Sequence, residues 1–90
     1  MNSNEVMIQE DPEEDTFWMR LPSPHQPLLG ALKSLIPFVE RNPDNGLGWD
    51  ATLSAWHLPL YYLNDTLLLI EDMAPNWNIK FVEYLEEEDG

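Results

Sequence analysis

Cysteine is absent from this 90-residue chain. That excludes a disulfide framework, a thiolate metal site and a cysteine nucleophile. Bases are scarce: Arg20, Lys33, Arg41 and Lys80 stand against 17 Asp and Glu, leaving a net charge of −13. Nucleic acid and anionic membrane surfaces are bound by clustered Lys and Arg that displace counterions, so direct contact with either is not expected here. Long apolar runs are missing as well. The longest spans residues 67–70, far short of the ~20 residues of a membrane-crossing helix. The polar, acidic start lacks the basic and apolar segments of a secretory signal, and the cytoplasm is the expected compartment. The 4 glycines are scattered and build no phosphate-cradling loop.

What the chain does have is acid at its two ends. Residues 1–15 carry Glu5, Glu10, Asp11, Glu13, Glu14 and Asp15 with no base, and residues 86–90 carry Glu86, Glu87, Glu88 and Asp89. Residues 16–85 hold seven acids and all four bases, a net of −3. The division predicts an acidic N-terminal tail over 1–15, a single globular domain over 16–85 and an acidic C-terminal tail over 86–90. Val6, Met7 and Ile8 interrupt the first tail and leave open a short docking strand. A body of this length buries roughly 60% of its surface on folding, and Trp18, Trp49, Trp56 and Trp77 supply large side chains for it.

Residues 16–21 alternate in the manner of a strand, with Phe17, Met19 and Leu21 on one side and Trp18 and Arg20 on the other. Pro22, Pro24 and Pro27 then break the chain. Leu28, Leu32, Leu35 and Ile36 recur at helical spacing, which predicts a helix over 27–41 that Pro37 ends or kinks. Asn42-Pro43-Asp44-Asn45-Gly46 reads as a turn, and 42–48 as a loop. Residues 57–63 and 66–72 read as strands joined at Asn64-Asp65, with Pro59 placing the first at a sheet edge. A third strand is expected at 77–84. Two segments stay ambiguous: 50–58, a short helix capped by Asp50 or a strand, and 61–73, which also fits one helix. The expected fold is α+β, one main helix on a small three- to four-stranded antiparallel sheet, with a small all-α arrangement as the alternative. Leu28, Leu32, Leu35, Leu67, Leu69, Ile79 and Phe81 are the expected core.

Catalytic chemistry finds little to stand on. His25 and His57 are the only histidines and lie 32 residues apart, with no carboxylate spacing of a metal site around them. Ser54, His57 and Asp50 or Asp65 are the residue types of a triad, but no nucleophile-presenting turn accompanies them. No enzyme activity, cofactor or metal is expected. Each acid run, however, abuts aromatic residues: Glu13, Glu14 and Asp15 precede Phe17 and Trp18, and Tyr84 precedes Glu86, Glu87, Glu88 and Asp89. Acid steers a chain to a basic surface, and an aromatic anchor supplies affinity. These ten residues are the expected partner-binding patch, on the condition that strands 16–21 and 77–84 are neighbours. The expected function is a small acidic protein-binding module that regulates or inhibits a partner with a basic surface. Two other readings stand beside it: a nucleic-acid mimic of the phage-inhibitor kind, directed at restriction or CRISPR machinery, and a small subunit or assembly factor of a larger complex.

Overall fold

The computed structural model describes residues 4–85, Pro43 by its backbone alone. The chain is α+β: five strands form a mixed sheet and two helices accompany it. In chain order the elements are β1 (Glu5–Asp11), β2 (Thr16–Arg20), α1 (Gln26–Leu35), β3 (Gly48–Asp50), β4 (Ala55–Pro59), α2 (Leu63–Met73) and β5 (Asn78–Phe81). Three single turns of 3₁₀ helix, Phe38–Arg41, Pro43–Asn45 and Leu60–Tyr62, fill the connections. Across the sheet the strands run β3-β4-β2-β1-β5. All neighbours are antiparallel except β1 and β5, which are parallel.

The first correction concerns the N-terminal segment. Glu5–Asp11 is not a tail but a strand with a partner on each side. The cause is alternation: Val6 and Ile8 point to one face, where both are fully buried, while Glu5, Met7 and Gln9 point to the other. Glu10 shares the Val6 and Ile8 face, opposite Phe17, but near the end of the strand it stays exposed. β2 is correspondingly a central strand. β1 separates β2 from β5, so the segments 16–21 and 77–84 are not neighbours.

Cross-strand pairs share a face. Val6, Ile8, Phe17, Met19 and Leu58 therefore line one side of the sheet, and Leu28, Leu32 and Ile36 from the first helical region and Ile70 from α2 close over them. Of the expected core, Leu28 and Leu32 are fully buried and Leu35, Leu67, Leu69 and Ile79 pack against it partly buried. Phe81 is instead exposed on the edge strand.

α1 begins where the His25 imidazole Nδ1 accepts the Leu28 N–H at 3.1 Å, a cap supplied by histidine. Pro27 sits in its first turn, where a missing N–H is harmless. The helix stops at Leu35 instead of reaching 41. Pro37 forces Ile36 into extended geometry (φ −109°, ψ 111°), and the chain resumes only as the turn Phe38–Arg41.

The expected strand at 66–72 and the hairpin at Asn64-Asp65 do not form. Residues 63–73 are α2, the helical option for that segment. Thr66 and Ile70, one turn apart, are its buried stripe. Asn64-Asp65 lacks the glycine a tight hairpin turn favours, and Asp65 instead lies in the helix's first turn, where a carboxylate is stabilising. Strand 57–63 is likewise shorter and starts earlier: Ala55–Pro59 is β4, an interior strand. Pro59 is accommodated as its last residue, opposite Thr16 at the end of the ladder. Of the ambiguous segment 50–58, the second half is strand. Its first half is a turn in which Asp50 Oδ1 accepts the Leu53 N–H at 3.1 Å. The Arg20 guanidinium donates to the Leu53 carbonyl from Nε at 3.0 Å and from Nη2 at 2.6 Å.

Among the described residues no helix is long and apolar enough to cross a membrane.

Two expected outcomes test this core. Phe17→Ala removes a fully buried ring at the centre of the sheet and lowers unfolding stability by about 3–5 kcal/mol, read from urea denaturation. Thr66 is fully buried with its hydroxyl unpartnered among the described residues. Thr66→Val keeps the shape and raises stability by about 1 kcal/mol in the same measurement.

Candidate functional site

β1 and β2 meet in a turn over residues 12–15, at the end of the sheet farthest from Glu5 and Arg20. Asp11 pairs with Thr16 across it, and the Asp15 N–H donates to the Pro12 carbonyl at 3.2 Å. Asp15 closes the turn in the left-handed region (φ 56°), one that Asp tolerates better than most side chains. Glu13, Glu14 and Asp15 are all exposed. Their backbone is anchored: the Leu60 N–H donates to the Asp15 carbonyl at 2.9 Å.

That bond joins the acidic turn to the 3₁₀ turn Leu60–Tyr62, and so to two tyrosines. Tyr61 is 65% exposed, and its ring lies 4.7 Å from that of Tyr62. The Tyr62 hydroxyl donates to Glu40 Oε1 at 3.1 Å, while Glu40 Oε2 is buried without a partner among the described residues. The Tyr62 hydroxyl titrates above its usual 10.0. Partial burial is the main cause, followed by the hydrogen bond to Glu40 and the negative charges of Glu40 and Asp65. The end of the sheet thus gathers the acidic turn, Tyr61, Tyr62, Glu40 and Asp65 from four separate stretches of chain. Arg20 and Lys80 lie in the far half, in one row with Met7. That row is four residues, roughly 13 Å, along β1 from Asp11. Lys80 Nζ is 4.0 Å from Glu5.

The expected patch is divided by this geometry. Glu13, Glu14 and Asp15 stay together at the turn. Phe17 is not a surface anchor, since it points into the core with no exposure. Trp18 faces the opposite, helix-free side of the sheet and is half-buried against His57, ring centroids 3.9 Å apart and planes within 6°. Tyr84 is exposed on that same side, where Met7, Arg20, Glu83, Tyr84 and Leu85 surround a shallow hollow of about 290 Å³. Glu86, Glu87, Glu88 and Asp89 lie outside the described residues. The segment that precedes them follows β5, parallel to β1: Val82 N–H donates to the Ile8 carbonyl at 2.8 Å and Leu85 N–H to Gln9 Oε1 at 2.7 Å. Buried Leu85 is therefore held against the middle of β1, beside the hollow it lines with Met7 and Arg20.

His57 is clamped. Its Nδ1 lies 2.6 Å from the Gly46 carbonyl and its Nε2 2.8 Å from Thr16 Oγ1. A carbonyl only accepts, which assigns the proton to Nδ1 and leaves Nε2 to accept from the threonine hydroxyl. Both nitrogens are engaged in holding β4, β2 and the 42–48 loop together, and neither faces Ser54 or a carboxylate.

Glu40, Tyr61, Tyr62 and Asp65 escape sequence reasoning because 45 residues separate Asp15 from Leu60. The adjacent tyrosines were the available signal, but in a segment read as a strand they fell on opposite faces. Comparison with known proteins found no match: no family model, no curated protein and no solved structure.

A pH measurement checks the Tyr62 environment. The folded chain keeps the Tyr62 proton to higher pH than the unfolded chain, so it binds more protons as pH rises past about 10. The stability contributed by this group is complete below that pH and is lost as pH rises through the folded-state value. Urea midpoints of wild type fall more steeply than those of Tyr62→Phe above about pH 10.

Proposed function

We propose that this chain is a non-catalytic protein-binding module that regulates or inhibits a partner with a basic surface, and that the acidic end of the sheet is what it presents. The observation that carries this reading is the Leu60–Asp15 hydrogen bond, which ties the turn bearing Glu13 and Glu14 to the 3₁₀ turn bearing the exposed Tyr61. Carboxylates on an anchored turn forfeit less conformational entropy on binding than the same groups on a free tail. The exposed Tyr61 on the turn joined to theirs supplies the rigid, amphipathic contact that charge alone lacks.

The hairpin also favours a second reading, mimicry of nucleic acid. Glu10, Asp11, Glu13, Glu14 and Asp15 ride on folded backbone, as carboxylates standing in for phosphates must.

The test is affinity capture from the source cell with wild type and with the variant Glu13→Lys/Glu14→Lys. The expected result is a basic protein retained by wild type, released as salt rises, and bound roughly tenfold or more weakly by the variant. Tyr61→Ala weakens it further. Equal retention by wild type and the charge-reversed variant would overturn the proposal. If duplex DNA competes with the chain for the captured protein, mimicry is the mechanism.

A further inference from the structure

A second surface, separate from the acidic end, lies along β5. This strand is paired on one side alone, with β1. Asn78 N–H donates to the Asn4 carbonyl and Val82 N–H to the Ile8 carbonyl, both at 2.8 Å. In a parallel ladder backbone groups alternate in direction. Residues 78, 80 and 82 therefore turn theirs toward β1, and the N–H and C=O of Ile79 and Phe81 point outward, with no strand beyond them among the described residues.

The side chains at the same positions are also uncovered. Phe81 is 55% exposed and Leu68, across from it on α2, is 62% exposed. Together with Asn64, Leu67, Glu71 and Ile79 they line a groove of about 470 Å³ between helix and edge strand. Edge strands are normally blunted by charge or covered. Here the single charge, Lys80, projects to the other face of the sheet, near Glu5.

Charge says what fits. On the outward side of α2, Leu68 is followed by Glu71 and Asp72, an apolar side chain one turn from two exposed carboxylates. Glu71 and Asp72 stand in the last turn of α2, which has no basic residue. A helix C-terminus favours cations, and carboxylates there work against the helix's own stability. A positively charged partner would relieve that conflict, whereas a second copy of this chain, itself carrying −13, would add to it.

We infer that the α2–β5 groove takes an extended, basic segment of a partner protein, which adds to the sheet as a sixth strand beside β5. Its backbone pairs with Ile79 and Phe81, alternate apolar side chains enter the groove against Leu68 and Phe81, and its Lys or Arg residues lie against Glu71 and Asp72. The mode is strand addition, in which main-chain bonds give affinity and alternate pockets give selectivity.

The probe is a synthetic peptide alternating Val or Ile with Lys, titrated by fluorescence anisotropy. The expected result is saturable binding, weakened about tenfold or more by Leu68→Asp or Phe81→Ala and severalfold by Glu71→Lys. Both hydrophobic sites are exposed, so unchanged circular dichroism confirms that these variants fold. Amide hydrogen exchange separates strand addition from general attraction between opposite charges: the Ile79 and Phe81 amides become protected when the peptide binds. A peptide with N-methylated backbone at its centre fails to bind. The variant Glu13→Lys/Glu14→Lys binds the peptide through this groove as wild type does, which keeps the outcome independent of the acidic end. No saturable binding, equal binding of the N-methylated peptide, or unprotected Ile79 and Phe81 amides would each overturn the inference. So would a concentration-dependent dimer of the free chain that Phe81→Ala abolishes.

Discussion

The pairing of β1 on both sides is the constraint on which the rest depends. Its antiparallel ladder with β2 and its parallel ladder with β5 tie the end of the described chain to the beginning. Val6 and Ile8 carry this tie into the core, where both are fully buried beneath the helices. Without β1 there would be no strand between β2 and β5, and α2 would lose much of the floor it shares with Ile79. A strand so acidic in composition holds this position because strand geometry sorts side chains by parity. Val6 and Ile8 reach the core, Glu5 and Asp11 point to the opposite face, and Glu10 shares the core face but stays exposed near the strand's end.

The same pairing distributes the charge. β1 carries Glu10 and Asp11 to one end of the sheet, and the hairpin turn concentrates Glu13, Glu14 and Asp15 there. Parallel β5 carries the chain on along β1, where the Leu85 N–H is held by the Gln9 side chain. The Leu60–Asp15 bond then recruits the 3₁₀ turn and with it Tyr61 and Tyr62. Repulsion among clustered carboxylates opposes folding. The anchoring bonds, and the burial that β1 and β2 achieve on their apolar face, hold the cluster in place against it.

Sequence and structure agree where local signals are strong and part where long-range pairing decides. The α1 stripe of Leu28 and Leu32, the turn at 42–46 and the strand character of 16–20 were legible, because spacing and breaker residues act within a few positions. The apolar run 66–70 was not, since a short apolar segment fits a buried strand and a buried helix equally. Its resolution as α2 follows from the buried stripe of Thr66 and Ile70, which needs the sheet beneath it to have meaning. Phe17 was read correctly as one face of a strand, yet assigned outward as an anchor. Only the position of β2 at the centre of the sheet determines that its Phe17 face is the covered one and that Trp18 looks the other way, onto His57.

By itself the sequence determined that this chain is acidic, free of cysteine, poor in cations and built from both helical and strand segments. These are properties of composition and of patterns a few residues long. The tertiary structure alone decided that the N-terminal acids ride on an interior strand, that Phe17 is buried while the acidic turn is tied to the 3₁₀ turn of exposed Tyr61, and that β5 stands at an edge with Phe81 uncovered. Each of these depends on which strands pair, and pairing is set by burial summed over segments as far apart in sequence as β1 and β5, which no local pattern encodes.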